Sequence, residues 1–311
     1  MSHNHNHGAH SPAPASADDQ GKLSIALALI AGFMAFEVAF GVLANSLALL
    51  SDAAHMLTDA VAVGLSIVAL RLASRPAQGQ MTFGFRRAEI LAAQFNGATL
   101  LVLAALIVYE GIRRLITPPH VTATPVLVVA LVGIAVNLGA TWTLSRANRQ
   151  SLNVEGAFQH IATDLAAFIA TAIAGAVMLA GGSFRADGIA SLVVAAIMLR
   201  AAVGLLKASG RVFLEAAPKG LDVRAIGHAM ASCPAVSEVH DLHVWEVSSG
   251  FPALSAHVLV GEAVDCHEVR RSLERLLAER FEIEHTTLQV EHEASALISI
   301  ERPGQHRQAQ R

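Results

Sequence analysis

Six long apolar runs between residues 23 and 206 constrain the fold of this chain more than any other feature of its sequence. A helix needs about 20 apolar residues to cross the hydrocarbon core of a bilayer, and each run has about that length. The runs cover residues 23–43, 47–70, 89–112, 125–145, 156–180 and 187–206. The sequence therefore predicts an α-helical membrane protein with six transmembrane helices.

Composition supports this class and excludes another. Hydrophobic residues make up 53% of the chain and charged residues 15%, which is too apolar for an ordinary soluble protein. The net charge of −3 provides no basic patch for binding nucleic acid. Composition becomes ordinary after the sixth run, which predicts a second domain, and alternating and helical residue patterns within it predict an α+β fold. The predicted segments are a His-rich disordered cytoplasmic tail (1–22), the membrane domain (23–207), the α+β domain (208–300) and a disordered tail (301–311).

Arginines are distributed unequally between the two sets of loops. Six lie after the second and fourth spans, Arg71, Arg75, Arg86, Arg87, Arg146 and Arg149, and three lie in the opposite loops, Arg113, Arg114 and Arg185. Loops rich in Lys and Arg stay in the cytoplasm. The N-terminal residues also lack the charged start and apolar core of a signal peptide. Both termini are therefore predicted to be cytoplasmic.

Two of the spans carry a histidine and an aspartate four residues apart, a spacing that places both on one helix face. The second span has His55 and Asp59, and the fifth has His160 and Asp164. Two imidazoles and two carboxylates have the number and type of ligands of a tetrahedral Zn²⁺ site, and their charge balances the dication. One such pair could be a polar contact between helices. Its repetition on two spans favours a metal site.

Other polar residues could assist this site. Asp52, three residues before His55, is predicted to be an accessory group rather than a fifth ligand. Hydrogen bonds between helices are predicted for three asparagines within or beside the spans, Asn45, Asn96 and Asn137. Four histidines of the N-terminal tail, His3, His5, His7 and His10, form a tract that either binds metal weakly or is an ordinary polar tail.

Several motifs in order along the chain resemble one known family. They are NSLALLSDAAHMLTDA, FGFRRAEILAA, HIATDLAAF, DGIASLVVAAIMLRAA, VHDLHVW, SAHV and LQVE. Together they make the chain similar to the cation diffusion facilitators, specifically the bacterial members of zinc type. The resemblance covers residues 23 to about 293.

The resemblance implies a homodimeric antiporter of the bacterial inner membrane that exchanges divalent cations for protons. It also implies a cytoplasmic domain of metallochaperone-like fold. The transport site would consist of His55, Asp59, His160 and Asp164, with Zn²⁺ as the substrate. Members with histidine at the position of His55 prefer zinc, and members with aspartate there accept a wider range of metals, in agreement with the affinity of imidazole for Zn²⁺.

The resemblance also implies a second zinc site, structural or regulatory, in the cytoplasmic domain. Its ligands would be His240, His257 and Glu291, with His243 or His285 as possible additions. Alternating residues predict strands around the two motifs VHDLHVW and SAHV and a closing strand over TTLQVEHE, and an amphipathic pattern predicts a helix over HEVRRSLERLLAERF. The alternative is that these are surface histidines of a half-exposed sheet.

Other functions are compatible with parts of this pattern. A membrane zinc sensor could signal through the cytoplasmic domain, and an exporter could accept zinc, cadmium and cobalt. A catalytic zinc site would need an open position for water, whereas four protein ligands fill the tetrahedron, and the sequence has no HExxH motif. The chain is therefore predicted not to be an enzyme.

Overall fold

The computed structural model describes residues 17–43, 47–117, 123–181 and 185–293, which form two compact units. One unit is Met1–Ala216 with Glu246–Phe251, and the other is Ala217–Trp245 with Pro252–Arg311. Several predicted residues lie outside the described part of the chain: the histidines His3, His5, His7 and His10, Asn45, and the segment 301–311. What was predicted for them stays a prediction.

Six long helices form most of the first unit. They are α1 (Ala17–Leu43), α2 (Leu47–Ala73), α3 (Ala88–Ile116), α4 (Ala123–Ser145), α5 (Leu152–Leu179) and α6 (Arg185–Phe213). Within the described residues, these are the six helices long and apolar enough to cross a membrane. The predicted six-helix membrane architecture is confirmed.

Several helices extend past the predicted spans. Helix α1 begins at Ala17 rather than 23, and α6 ends at Phe213 rather than 206. An apolar run marks only the part that crosses hydrocarbon, whereas backbone hydrogen bonds continue into the polar interface. Asp18 and Asp19 in the first turn of α1 and Arg211 in the last turn of α6 suit the helix dipole there.

The membrane helices pack in two groups. Side chains of α1, α2, α4 and α5 share one core, which includes Leu23, Ile30, Leu70, Leu144 and Ile161. Helices α3 and α6 pack closely, since a Cβ at Gly97 would lie 3.0 Å from Leu206 and one at Gly111 would lie 3.1 Å from Leu192. Helix α5 contacts α2, α3, α4 and α6. Its polar side chains are consequently buried or half-buried among other helices.

The second unit is built on a three-stranded sheet. Its elements are α7 (Val223–Ala231), β1 (Val236–Ser248), β2 (Phe251–Val260), α8 (Cys266–Phe281) and β3 (His285–His292). The strand order is β1-β2-β3, and β2 and β3 are parallel with α8 as the crossover. Buried side chains from both helices and β2 form the core, among them Ile226, Leu254, Leu273 and Leu277. The predicted α+β domain is confirmed.

Helix caps and a tight turn define the ends of these elements. Asp222 and Asp265 cap α7 and α8 by accepting backbone hydrogen bonds. The hydrogen bond from the backbone N–H of His267 is the main reason that the pKa of the Asp265 carboxyl is lowered. Only Ser249 and Gly250 connect β1 to β2, so the two strands form an antiparallel hairpin. The end of this hairpin, Glu246–Phe251, belongs to the first unit.

Candidate metal centre

Helices α2 and α5 bring three of the predicted ligands together. One ligand atom from each of Asp59, His160 and Asp164 lies within 4.8 Å of the other two. Throughout the described part of the chain, this is the one group of three or more His, Cys, Asp or Glu side chains close enough to hold a metal ion. The i, i+4 spacing places His160 and Asp164 on one face of α5, so one helix supplies two of the three groups.

His160 is the most buried member of this group. Its side chain is fully buried, and its Nε2 lies 2.6 Å from Oδ1 of Asp59. Its Nδ1 is also buried and has no hydrogen-bond partner among the described residues. Buried polar atoms in native proteins nearly always have a partner, so an imidazole whose Nδ1 has none and whose Nε2 faces a carboxylate is suited to binding a cation.

The charges of Asp59, His160 and Asp164 also favour a bound cation. Asp59 is buried and Asp164 half-buried, so two acids and one imidazole share a site screened from solvent. Two carboxylates close together in a medium of low dielectric repel each other strongly unless a positive charge lies between them. A divalent cation supplies that charge, and carboxylate oxygen and imidazole nitrogen are both ligands of Zn²⁺.

The remaining residues predicted for this site are His55 and Asp52. Both lie in α2, and His55 is one helical turn before Asp59. Their side chains are outside the described residues. Ligation by His55 and an accessory role for Asp52 therefore stay predictions.

A buried polar layer lies two helical turns from the site, formed by Ser66, Asn96 and Asn153. Asn153 donates its side-chain amide to the backbone carbonyl of Ser66 at 2.7 Å, and Asn96 donates to the Ser66 hydroxyl at 3.1 Å. All three residues are fully buried. The layer joins α2, α3 and α5 beside the metal-binding group.

Only part of this polar layer is predicted by the sequence. The predicted hydrogen bond between helices is confirmed for Asn96, whereas Asn137 donates to the Gly133 carbonyl of its own helix, and Asn45 lies outside the described residues. The side-chain amide of an asparagine can donate to the backbone carbonyl four residues earlier in its own helix, so it needs no partner on another helix. The contact of Asn153 is not predicted, because this residue precedes the apolar run 156–180. Its position seven residues before His160, two turns away on the same helix face, could have indicated it.

Two of the predicted ligands in the second unit are neighbours. The rings of His240 on β1 and His257 on β2 have their centroids 5.4 Å apart. His257 is paired with Gln289 on β3, and Glu291 lies two residues further along the same strand. Alternate residues of a strand share a face, so His257 and Glu291 lie on the same face of the sheet.

The additional candidates lie elsewhere. His285 is paired with Ala253, four positions or about 13 Å along the strands from His257. The His243 ring is exposed, and its Nε2 lies 2.9 Å from Oδ1 of Asp241. In the described residues of this unit, the predicted ligands do not form a group of three within 4.8 Å.

Known proteins with similar sequences identify the family. The family description "Cation efflux transmembrane domain" matches residues 23–214, and "Cation efflux protein, cytoplasmic domain" matches residues 218–293. The "Metal cation efflux system protein CzcD" of Cupriavidus metallidurans is 40% identical over 88% of this chain and 87% of its own length. The "Zinc transporter ZitB" of Escherichia coli is 36% identical over the same shares.

Another transporter and one solved structure are also similar to this chain. The "Cadmium, cobalt and zinc/H(+)-K(+) antiporter" of Bacillus velezensis is 36% identical over 86% of this chain and 87% of its own length. The metal-bound C-terminal domain of the CzcD transporter from Cupriavidus metallidurans, a solved structure, is 36% identical. That match covers 23% of this chain and 99% of the solved one, with a TM-score of 0.22.

The chain belongs to the cation efflux family, also called the cation diffusion facilitators. It is a multi-pass membrane protein, and the function of its family is the efflux of divalent metal cations. The relatives are transporters, which confirms the prediction that the chain is not an enzyme.

Proposed function

We propose that this protein exports Zn²⁺ from the cytoplasm in exchange for protons, through a tetrahedral site of His55, Asp59, His160 and Asp164. The observation that carries the proposal is the buried group of Asp59, His160 and Asp164, whose ligand atoms lie within 4.8 Å of one another. Charged groups inside a membrane are costly and generally line a transport pathway.

The pairing of α2 with α5 supports His55 as the fourth ligand. Asp59 contacts His160, and Ser66 contacts Asn153, seven residues further along α2 and seven residues back along α5. The two contacts therefore share one antiparallel register. The same register, continued by one turn, brings the backbone of His55 level with Asp164.

The ligand set favours zinc among divalent metals. Imidazole nitrogen suits Zn²⁺, whereas Mg²⁺ and Mn²⁺ prefer oxygen ligands. Mg²⁺ also demands six ligands, which a tetrahedral site with two nitrogens does not provide. The second candidate function is export of cadmium and cobalt in addition to zinc, because a similar protein is named for those metals.

Proton coupling follows from the same ligands. An imidazole must lose its proton to bind metal, and histidine titrates near neutral pH. Zinc and protons therefore compete for His55 and His160. A site that takes up zinc on the cytoplasmic side and protons on the other side would export zinc at the expense of the proton gradient, by alternating access. A relative named as a zinc/H(+)-K(+) antiporter supports this reading.

We propose further that the protein is a homodimer of the bacterial inner membrane with both termini in the cytoplasm. The arginine-rich loops support this orientation, and the match to the family's cytoplasmic domain supports the placement of the second unit. His240, His257 and Glu291 would bind a structural or regulatory zinc ion there. His3, His5, His7 and His10 would collect zinc transiently.

Zinc flux in proteoliposomes tests the proposal. Saturable zinc uptake that requires an imposed pH gradient is expected. Uptake that persists unchanged after the gradient is collapsed would contradict proton coupling. Zinc binding without any flux would favour the alternative of a membrane zinc sensor, and parallel measurements with cadmium and cobalt decide between the narrow and the broad metal range.

A further inference from the structure

The N-terminus of α5 is capped in an unusual way. Ser151 occupies the N-cap position of this helix, but its side chain makes no capping hydrogen bond. Its hydroxyl instead donates to Oε2 of Glu89 at 3.1 Å. The first backbone N–H of α5, that of Leu152, donates to the hydroxyl oxygen of Ser249 at 3.1 Å. A serine almost 100 residues away therefore accepts one of the four backbone N–H groups that the start of a helix leaves without a partner in the helix.

Glu89 connects the three segments that meet at this point. Glu89 is 7% exposed, and the second oxygen of its carboxylate, Oε1, accepts a hydrogen bond from the backbone N–H of Ser249 at 2.9 Å. This carboxylate, from the first turn of α3, thus binds both the N-cap residue of α5 and the turn of the β1–β2 hairpin. Hydrogen bonds to a charged acceptor are stronger than neutral ones, which favours a well-defined geometry.

Two arginines hold the same end of the hairpin. Arg87, immediately before α3, donates from Nε to the Val247 carbonyl at 3.3 Å. The guanidinium carbon of Arg86 lies 4.5 Å from the centroid of the Phe251 ring, within the range of a cation–π contact. Hairpin residues on both sides of Ser249 are therefore bound to the loop that precedes α3. The position of the Ser249 hydroxyl does not depend on one bond alone.

We propose that Ser249 is a positioning residue for transport, because it caps the helix that carries His160 and Asp164 from outside that helix. The capped turn is eight residues, or about 12 Å, before His160. The inference rests on the proposed function, since it concerns the movement of α5 during transport.

Hydrogen–deuterium exchange of the full-length protein tests the cap directly. In Ser249→Ala, the peptide covering residues 150–158 is expected to exchange about fivefold faster, as loss of an N-cap typically produces. Ser249→Thr keeps the accepting oxygen and should restore the wild-type rate. Ser232→Ala is the matched control, because Ser232 is the C-cap of α7 and its hydroxyl donates to the carbonyl of His228, one turn earlier in that helix.

Zinc flux by the same variants tests the role in transport. The maximum rate of Ser249→Ala should fall about two- to fivefold with the zinc KM nearly unchanged, since the ligands themselves are intact. Unchanged exchange in Ser249→Ala would overturn the cap. Faster exchange with an unchanged maximum rate would overturn its role in transport. Absence of zinc flux in the wild type would instead contradict the proposed function, and the exchange measurement would still decide whether the cap exists.

Discussion

Asn153 donates its side-chain amide to the backbone carbonyl of Ser66, and this 2.7 Å contact repeats the register of the Asp59–His160 contact two turns away. The two contacts together fix how α2 and α5 slide past each other. A slip by one turn would separate Asp59 from His160 by about 5 Å. The polar layer is therefore expected to support the metal site from a distance.

Replacing Asn153 by alanine tests this support. The change removes a hydrogen bond between helices, worth about 0.6 kcal/mol in membrane proteins, so the fold should survive. Zinc affinity should nevertheless fall, because α2 and α5 lose a register contact. Asn137→Ala is the matched control, since Asn137 is equally buried but bonds within its own helix. Equal zinc affinities of the two variants by calorimetry would contradict the role of the layer.

Replacing Asp59 by asparagine should abolish zinc transport. The substitution keeps the shape of the side chain but removes one of the charges that balance the dication. Zinc binding should weaken by at least about 10–100-fold, the range seen for changes next to metal sites. Asp19→Asn is the control, because Asp19 is buried but accepts a structural bond from the backbone N–H of Asn148. Normal flux in Asp59→Asn would rule out the assigned site.

Replacing His55 by aspartate should change metal preference rather than abolish transport. An extra carboxylate makes the site harder and more negative, so the ratio of zinc to cadmium transport is expected to fall. The ratio is measured in proteoliposomes with each metal in turn. Asp52→Asn should leave it near the wild-type value. A wild-type ratio in His55→Asp would show that His55 is not a ligand.

Replacing His257 by alanine should leave the transport site intact and remove the second zinc ion. Equilibrium dialysis is expected to find fewer zinc ions bound per chain, because the neighbouring His240 and His257 rings can no longer share a metal. His228→Ala provides the comparison, since His228 is an exposed histidine of α7. An unchanged zinc count in His257→Ala would argue against a site in the second unit.

Replacing Gly133 by alanine should disturb α5 near the metal site. A Cβ at this position would lie 2.5 Å from Cδ1 of Phe168, which is one turn beyond Asp164 on α5. Overpacking of this kind typically costs about 1–3 kcal/mol. Gly139→Ala, where the nearest atom would be 3.7 Å away in Leu29, should have little effect. Thermal unfolding with and without zinc measures the stability of both variants. Equal stabilities of Gly133→Ala and Gly139→Ala would show that α4 and α5 can separate without cost.

Local patterns in the sequence were sufficient for the six helices and for the two His-Asp pairs. The length of an apolar run sets whether a helix can span a bilayer, and a spacing of four residues sets a common helix face. Both are properties of a single segment. The same holds for the α+β domain, whose alternating residues and helix caps are read within short windows.

Only the tertiary structure decided which distant residues meet. The register of α2 against α5 depends on packing and on the Asn153–Ser66 contact, and neither is encoded in one segment. The spacing of residues in the sequence could not show that His240 lies beside His257 or that His285 lies apart from them. It also could not show that Ser249 accepts the first N–H of α5. Such contacts join residues tens of positions apart, and they exist because buried polar groups in the folded chain must find partners wherever the fold provides them.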